Sequence, residues 1–295
     1  MTSYVGRFAP SPTGQLHFGS LVTALASYLD ARSQSGIWLV RIEDLDPPRE
    51  EKGATESILR SLECHGLNWD KEVIYQSKRA EVYDHYLEQL SNKQLLFRCN
   101  CTRQRLSKLH GSYDGHCLTS PPESDSPSAL KIGNLANKNW SFDDRIQGFQ
   151  KEHLSFPQDS FVLVRKDTLY AYQLAVVCDD IEQGITHIVR GNDLLSSTAR
   201  QILLFDVLEA TPPSFAHIPL VLANNQQKLS KQNKAPVIDN AEASMNLLNA
   251  LKFLNQSPPE NLSEESPETI LSWSIEHWQI DAIPKLPGFI PPNSL

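Results

Sequence analysis

The first part of the chain combines a short apolar run with apolar residues at helical spacing. Residues 4–8 predict a strand, and a segment rich in proline and glycine follows it. After Gly19 the apolar residues recur at the spacing of one helix face, and Gly36 can end that helix. The members of the face are Leu21, Leu25 and Leu29. The pattern therefore predicts a strand, a loop and a helix in succession.

Further strands and helices are predicted along the rest of the chain. Residues 37–43 predict a buried strand, and residues 50–65 and 77–94 predict helices. Another strand is predicted to start at Phe161, and a β-branched run ends at Arg190. Ligands of open α/β sheets collect at the carboxyl ends of the strands, so functional side chains are expected at those ends.

Two polar segments have the chemistry of phosphate binding. His17 and Gly19 lie at the predicted loop–helix junction, where helix N–H groups attract phosphate and His17 can donate a hydrogen bond. The alternative there is an ordinary loop with a helix-capping polar residue. Far along the chain, Lys228 and Lys231 flank Ser230, a combination that suits a triphosphate. The alternative for this second segment is a solvated basic loop.

Charged residues follow two of the predicted strands. Glu43 ends the strand over 37–43, and a carboxylate there could hold an ammonium group or a hydroxyl. Arg190 ends a later strand, and an arginine can bind a carboxylate through two parallel hydrogen bonds. Tyr172 lies among apolar neighbours, where core packing is the commoner role of a tyrosine.

Three cysteines lie close together in the middle of the chain. Cys99, Cys101 and Cys117 have the spacing and the soft sulfur ligands that suit tetrahedral zinc. The chemistry of the side chains favours His116 or His110 as the fourth ligand. The surroundings are loop-like, so a structural metal is predicted rather than a catalytic one.

Composition restricts how the chain could bind nucleic acid. The chain has 295 residues, enough for one large or two modest domains, and a net charge of −8. An acidic chain is not a general nucleic-acid binder, so any RNA contact must be local. The lysine segment 228–234 is one candidate. The members of a second basic patch are Arg98, Arg103, Arg105 and Lys108.

The sequence shows no secretory or membrane-spanning segment. No signal peptide is visible, and no apolar run approaches the roughly 18 residues of a membrane helix. A soluble, cytoplasmic protein with no membrane partner and with reduced cysteines is therefore expected. Cys178 is predicted to lie in the core, and Cys64, which lies in a helix-like segment, is predicted to have a packing role.

Several segments together resemble the glutamyl-tRNA synthetases, which are class I aminoacyl-tRNA synthetases. HFGS at 17–20 and KLSKQ at 228–232 resemble the nucleotide-binding signatures HIGH and KMSKS. The resemblance covers about residues 3–236. The matching segments, in family order, are RFAPSPTG, IEDLDPPR, IYQSKR, YQLAVVCDDIEQGITHIVRGNDLL and KLSK.

Three features differ from those of the full-length glutamyl-tRNA synthetases and indicate a subgroup of the family. The first signature reads HFGS, the cysteines follow a compact Cys-x-Cys … Tyr-x-x-x-Cys pattern, and only 64 residues follow Lys231. That length is too short for the anticodon-binding domain of a full synthetase. These features resemble the truncated bacterial paralogues of glutamyl-tRNA synthetase that glutamylate queuosine in tRNA(Asp).

The resemblance implies a fold and its division into regions. The fold is a Rossmann-like parallel α/β catalytic core with a smaller inserted zinc-bearing region, a short and mostly helical tail, and no anticodon-binding domain. The implied first half of the core is 1–98, and an acceptor-binding-like insertion follows at 99–160. The second half, with the lysine loop, is 161–238, and the helical tail is 239–295.

The resemblance also implies an activity and its partners. Glutamate would be activated by ATP and Mg²⁺ to glutamyl-adenylate and then transferred to queuosine at the wobble position of tRNA(Asp). The anticodon arm of that tRNA would occupy the cleft of a monomeric enzyme. One structural Zn²⁺ per chain is implied.

The residues that match the family's motifs have implied roles. Glu43 suits the α-ammonium group, Arg7 and Arg190 suit carboxylates, and His17 and Lys231 would be catalytic. The implied glutamate-binding residues are Arg7, Ala9, Ser11, Glu43, Tyr172 and Arg190. The implied ATP-binding residues are His17, Gly19, Lys228, Ser230 and Lys231. The implied metal ligands are Cys99, Cys101, Tyr113 and Cys117, with Tyr113 in fourth place.

Two other functions fit parts of the sequence. One is a truncated glutamyl-tRNA synthetase that still charges a 3′ end. The other is a non-catalytic regulator that binds glutamate or tRNA. A regulator has no need for both phosphate signatures, so His17, Lys228 and Lys231 favour an enzyme.

Overall fold

The secondary structure alternates strands and helices along most of the chain. The computed structural model describes residues 4–109, 112–223 and 236–291. Its strands are β1 (Val5–Phe8), β2 (Ile37–Ile42), β3 (Ile74–Tyr75), β4 (Leu96–Cys99), β5 (Ala129–Ile132), β6 (Lys138–Asp144), β7 (Gly148–Leu154), β8 (Phe161–Val164), β9 (His187–Gly191), β10 (Ser214–Ile218), β11 (Leu220–Val221) and β12 (Gly288–Phe289). Its α-helices are α1 (Phe18–Ser33), α2 (Ala54–Cys64), α3 (Ala80–Asn92), α4 (Arg103–Ser107), α5 (His116–Thr119), α6 (Tyr172–Glu182), α7 (Thr198–Val207), α8 (Ala243–Phe253) and α9 (Pro267–His277).

Parallel strands form the centre of the molecule. Strand β2 pairs with β1 on one side and with β3 on the other, and β9 pairs with β10, all in parallel. The Thr186 N–H donates to the Val5 carbonyl at 2.9 Å, which places β9 beside β1. The core strands therefore lie in the order β3, β2, β1, β9, β10, a Rossmann-like arrangement. The predicted fold class is confirmed.

Helix α1 follows the predicted pattern except at its end. The three leucines of the predicted face are fully buried. The helix ends at Ser33, and Ser35 takes a positive φ of 52° in the turn that follows. The prediction that Gly36 ends the helix is therefore wrong, because Ser35 takes the positive φ in the turn at the helix end. Gly36 allows a close approach, because a Cβ atom there would lie 2.7 Å from the backbone carbonyl of Tyr4.

An antiparallel region interrupts the core. Strand β5 pairs with β4 on one side and with β8 on the other, and β6 pairs with β7 in a separate hairpin. Both β4 and β8 thus belong to one antiparallel sheet, and the predicted boundaries at 98 and 161 fall within it. The strand predicted at Phe161 is present, but it pairs inside this sheet and not with the parallel core.

The last part of the chain packs on the core and is mostly helical, as predicted. Helices α8 and α9 pack against α1 and against each other. Their apolar residues join the same buried cluster as α1 and β2. Strand β12 pairs in parallel with β11, which directly follows β10. The tail therefore packs on the core through its helices and pairs with β11 in a separate two-stranded sheet.

The two cysteines outside the cluster, Cys64 and Cys178, differ in their environment. Cys178 is fully buried in α6, as predicted. Cys64 is exposed at the end of α2, so its predicted packing role is wrong. The buried face of α2 carries Ile58 and Leu62, and Cys64 lies two positions past that face. No helix among the residues described is both long and apolar enough to cross a bilayer.

Candidate active site

A cavity of about 570 Å³ lies at the carboxyl ends of the core strands and beside the start of α1. Its walls come from the segments that follow β1, β2 and β9, as expected for an open α/β sheet. The sequence-predicted residues that line it are Arg7, Ala9, Ser11, His17, Gly19, Glu43, Tyr172 and Arg190. The predicted ATP-binding residues Lys228, Ser230 and Lys231 lie outside the described residues.

His17 begins helix α1 at the edge of the cavity. It is the N-cap residue with extended backbone, and its Nδ1 accepts from the Ser20 N–H at 3.3 Å. Since Nδ1 accepts, the ring proton of neutral His17 lies on Nε2, which is 3.0 Å from the Ser20 hydroxyl. His17 also forms an isolated antiparallel β-bridge with Val237, which follows shortly after the lysine segment. The His17 side chain can therefore cap the helix, as in the alternative interpretation, and also bind phosphate, as in the predicted role.

Two buried polar atoms at the cavity lack hydrogen-bond partners among the described residues. They are Oε1 of Glu43 and Nη1 of Arg190. Burial raises the pKa of Glu43 to about 7, although Arg41 and Arg7 act in the opposite direction. Glu43 Oε1 lies 3.7 Å from Arg41 Nη2, which is an ion pair without a hydrogen bond. Buried polar atoms without hydrogen bonds are costly, so both atoms are suited to a ligand that supplies the missing hydrogen bonds. A ligand with an ammonium group and a carboxylate meets that requirement.

A buried ion network holds Arg7 in place. The Arg7 Nε donates to Asp180 at 3.2 Å, and Arg41 lies 2.8 Å from the same carboxylate. Burial raises the pKa of Asp180, but the two guanidinium groups outweigh it and hold that pKa below its usual range. Asp179 continues the network, since it accepts from Arg79 at 2.5 Å. Sequence reasoning gave no role to Arg41, Asp179 or Asp180, although the adjacent acids in an apolar helix were a visible signal.

Tyr172 is the first residue of α6, and it lines the cavity while also packing against the hydrophobic core. Burial raises its pKa, so the phenol remains protonated at neutral pH. Together with Glu43 it also lines a second cavity of about 340 Å³. In this second cavity the Asp46 carboxylate is held by Arg49 at 2.5 Å and by Arg165 at 3.3 Å. The two cavities share a wall, so ligands in both could meet at Glu43 and Tyr172.

The three clustered cysteines meet in a separate buried site. All their sulfur atoms lie within 4.8 Å of one another, and Cys101 and Cys117 are 3.5 Å apart. The Tyr113 hydroxyl lies 3.9 Å from the Cys99 sulfur. His116 is exposed and outside the cluster, and His110 is outside the described residues.

The chemistry of this cluster fits a divalent metal. Sulfur atoms bound to one tetrahedral zinc lie about 3.8 Å apart, which follows from bonds of about 2.3 Å. Burial raises the pKa of Cys101 to about 11, so a cation is needed to favour its thiolate. The Lys131 ammonium lies 4.1 Å from the centre of the Tyr113 ring, and Arg105 lies 3.6 Å from the Cys101 sulfur. These cations can offset the excess negative charge of a thiolate-bound metal.

The predicted basic patch divides into two kinds of residue. Arg98 donates to the Ser126 carbonyl at 2.6 Å, and Arg105 pairs with Asp114 at 2.5 Å, so both are engaged within the fold. Arg103 and Lys108 are exposed on and beside α4. Within the described ranges, no ion pair involves either of them. These two are the members of the patch that are best placed to meet a phosphate group.

Comparison with known proteins shows the class of enzyme to which this chain belongs. Residues 4–258 match the family described as tRNA synthetases class I (E and Q), catalytic domain. A solved glutamate–tRNA synthetase from Elizabethkingia anophelis superposes with a TM-score of 0.79 at 27% identity, covering 96% of this chain and 67% of that protein. The chain belongs to this class I family and, within it, to the glutamyl-Q tRNA(Asp) synthetase family.

That narrower membership comes from similar proteins of comparable length. The glutamyl-Q tRNA(Asp) synthetase of Serratia proteamaculans is 48% identical over 284 residues, covering 96% of this chain and 92% of the relative. The protein of the same name from Pectobacterium atrosepticum is 48% identical over 281 residues, covering 95% of this chain and 87% of the relative. The resemblance drawn from the sequence motifs is confirmed.

Proposed function

We propose that this chain is a ligase that activates glutamate with ATP and transfers it to queuosine in tRNA(Asp). The observation that carries the proposal is a pair of buried atoms without hydrogen-bond partners among the described residues, Glu43 Oε1 and Arg190 Nη1, whose residues line one cavity together with the start of α1. Membership of the glutamyl-Q tRNA(Asp) synthetase family supplies the acceptor.

Glutamate is the ligand that matches the charges of the first cavity. Glu43 would pair with the α-ammonium group, while Arg7 and Arg190 would bind carboxylates. Asp180 and Arg41 keep Arg7 in a fixed orientation, so little entropy is lost on binding. Ala9, Ser11 and Tyr172 would form the remaining contacts, since all three line the cavity.

The start of α1 would receive the nucleotide. The carboxylate of glutamate attacks the α-phosphorus of ATP, the bond to pyrophosphate breaks, and glutamyl-adenylate forms. His17 and the backbone at Gly19 would stabilise negative charge on the phosphate oxygens. Lys228, Ser230 and Lys231 retain the roles predicted from the sequence. Mg²⁺ would arrive with ATP and neutralise phosphate charge.

The second cavity is suited to the acceptor nucleoside. It adjoins the glutamate site at Glu43 and Tyr172, and its Asp46 carboxylate can accept hydrogen bonds from the two hydroxyls of the cyclopentenediol. One hydroxyl then attacks the glutamyl carbonyl carbon and loses its proton to solvent. The bond to phosphate breaks, AMP leaves, and an ester remains on the nucleoside.

We also propose a structural metal, held by Cys99, Cys101, Cys117 and Tyr113. Zinc matches three sulfur donors and would tie the end of β4 to α5. Lys166 donates to the carbonyl groups of Asn100 and Cys101 at 2.6 and 3.0 Å, so the metal site would also brace β8. The enzyme would act as a monomer in the cytoplasm, where its tRNA is found.

One experiment tests the proposed function and separates it from its rivals. The protein is incubated with labelled glutamate, ATP, Mg²⁺ and queuosine-containing tRNA(Asp), and the product is digested with nuclease. Label is expected on the queuosine nucleoside. A parallel incubation contains tRNA(Glu), and label on its 3′-terminal adenosine would instead show a truncated glutamyl-tRNA synthetase. Absence of glutamate-dependent ATP–pyrophosphate exchange would show a non-catalytic binding protein.

A further inference from the structure

Arg190 ends a chain of buried side chains that starts in the inserted hairpin. Asp144, at the end of β6, lies 2.5 Å from Nδ1 of His217 in β10. The Nε2 atom of His217 lies 2.9 Å from Nε of Arg190 in β9. The exposed fractions of Asp144, His217 and Arg190 are 3%, 0% and 3%. The chain of contacts therefore connects the hairpin to the wall of the substrate cavity.

The contacts determine which nitrogen of His217 carries the proton. A guanidinium group can only donate, so Nε2 of His217 must accept from Arg190 and cannot be protonated. Nδ1 then carries the proton and donates it to the Asp144 carboxylate. Burial lowers the pKa of His217, and the positive charge of Arg190 acts in the same direction against the pull of Asp144. His217 is therefore a neutral ring at pH 7, with one defined tautomer.

The remaining contacts of Arg190 leave one nitrogen for a ligand. Nη2 donates to the Thr198 hydroxyl at 2.9 Å, and the guanidinium carbon lies 5.2 Å from the centre of the Phe215 ring. Nε is occupied by His217. Nη1 has no hydrogen-bond partner within the described part of the chain. The orientation of the group, and hence of Nη1, depends on the acceptor at His217.

We propose that Asp144 and His217 are positioning residues that orient Arg190 for binding a carboxylate of the amino-acid substrate. The inference rests on the proposed function, because it assigns glutamate to this cavity. Asp144 selects the tautomer of His217, and the tautomer supplies the acceptor that holds Arg190. The inserted hairpin thereby contributes to amino-acid recognition without touching the substrate.

The substitution Asp144→Asn separates this role from simple structural support. Asparagine keeps the size of the side chain and the oxygen that accepts from the backbone N–H groups of Ile146, Gln147 and His217. Its amide nitrogen can only donate, so it forces Nδ1 of His217 to accept. The proton then moves to Nε2, where it faces the Nε–H of Arg190. Two donors meet, and Arg190 loses its orientation.

The variant is tested by calorimetric binding of glutamate and by ATP–pyrophosphate exchange. The dissociation constant and KM for glutamate should rise about tenfold to a hundredfold, the range for losing a hydrogen bond to a charged group. The KM for ATP should stay near the wild-type value, whereas the melting temperature should fall by a few degrees, because the two facing donors are buried. Asp143→Asn is the matched control, because Asp143 is the exposed neighbour on the same strand and carries the same charge. It should leave all four quantities unchanged.

Two further measurements keep the proposal testable if Asp144→Asn does not fold. In the wild type, nitrogen-15 spectra of the histidine side chains should show His217 with its proton on Nδ1, the signal being assigned by its loss in His217→Gln. His217→Gln, which retains a donor and an acceptor, should also bind glutamate more tightly than His217→Leu. A proton on Nε2 in the wild type, or unchanged glutamate binding in folded Asp144→Asn, would overturn the proposal. Wild-type protein that neither binds nor activates glutamate would contradict the proposed function instead. In that case the position of the ring proton on His217 would still test whether Asp144 and His217 orient Arg190.

Discussion

At the scale of single residues, Glu43 shows how binding and stability oppose each other. Its side chain is only 10% exposed, and one carboxylate oxygen has no hydrogen-bond partner in the described structure. Burial raises its pKa from the ordinary 4.5 to about 7, so ionising Glu43 costs the folded protein free energy. A bound ammonium group would offset that cost. The residue therefore suits an occupied site better than an empty one.

Glu43→Gln should stabilise the protein while weakening glutamate binding. The folded state holds the Glu43 proton up to about pH 7, whereas the unfolded chain releases it near pH 4.5. The wild type therefore loses stability across that window as pH rises, and the variant avoids this loss. Denaturant unfolding should show a gain of roughly 1–3 kcal/mol at pH 8, absent at pH 4. Glu63→Gln, at an exposed position, is the control, and equal stability of Glu43→Gln and wild type at pH 8 would contradict the argument.

Lys231→Ala tests the predicted role of the lysine loop. Loss of one preorganised charge contact to the transition state should slow glutamate-dependent ATP–pyrophosphate exchange by about 10²–10³-fold. Glutamate affinity, measured by calorimetry, should change little, because the predicted contact is with the nucleotide. Lys252→Ala on the exposed side of α8 serves as control. An unchanged exchange rate would refute the assignment.

At the scale of elements, the sequence predicted residues that line the first cavity where their own strand ends. Glu43 and Arg190 were found in this way, because the end of a strand is a local feature of the pattern. Contacts between distant elements were not predicted. Arg7 and Asp180 are 173 positions apart, and His217 and Asp144 are 73 apart. The same limit explains β8, because its pairing partner cannot be inferred from an apolar run alone.

The elements around the cysteine cluster should depend on a metal for their order. We expect about one zinc per chain, and Cys101→Ser should release it and increase hydrogen exchange in the segment between β4 and α5. Cys64→Ser is the matched control, since Cys64 is exposed and outside the cluster. Metal analysis by mass spectrometry, on protein prepared without chelator, would count against the site if it found no zinc.

At the scale of the whole molecule, the proposed acceptor site lies between the two regions of the fold, the parallel core and the antiparallel insertion. The second cavity takes Glu43 and Asp46 from the segment after β2, and Arg165 from the segment after β8. Arg103 and Lys108 are exposed on the inserted side. An acceptor that reaches Asp46 would therefore meet the core and the insertion together. An anticodon loop presents its wobble nucleotide at a tip and its phosphates on the flanks, which matches this arrangement.

An isolated anticodon stem-loop of tRNA(Asp) carrying queuosine should therefore be a competent acceptor. The same stem-loop with guanine should not accept glutamate, because it lacks the diol hydroxyls. Transfer should weaken as salt rises, and the double variant Arg103→Ala/Lys108→Ala should reduce transfer without reducing ATP–pyrophosphate exchange. Lys252→Ala should change neither activity. Equal glutamylation of both stem-loops, measured with labelled glutamate, would refute the proposed acceptor.

The short strand β12 also limits how the protein can be shortened. Leu220 and Val221 of β11 line the first cavity, and their backbone partners are Gly288 and Phe289 of β12. A Cβ atom at position 288 would lie 2.8 Å from the Leu220 carbonyl, so this edge of the active site relies on a bare backbone near the end of the chain. A minimal enzyme cut at residue 285 would keep both tail helices and still lose the strand that pairs with this wall of the cavity. For protein engineering, trimming or fusing the tail there would remove the support of that wall, together with the Leu286 carbonyl that accepts a hydrogen bond from Gln147 in the β6–β7 turn.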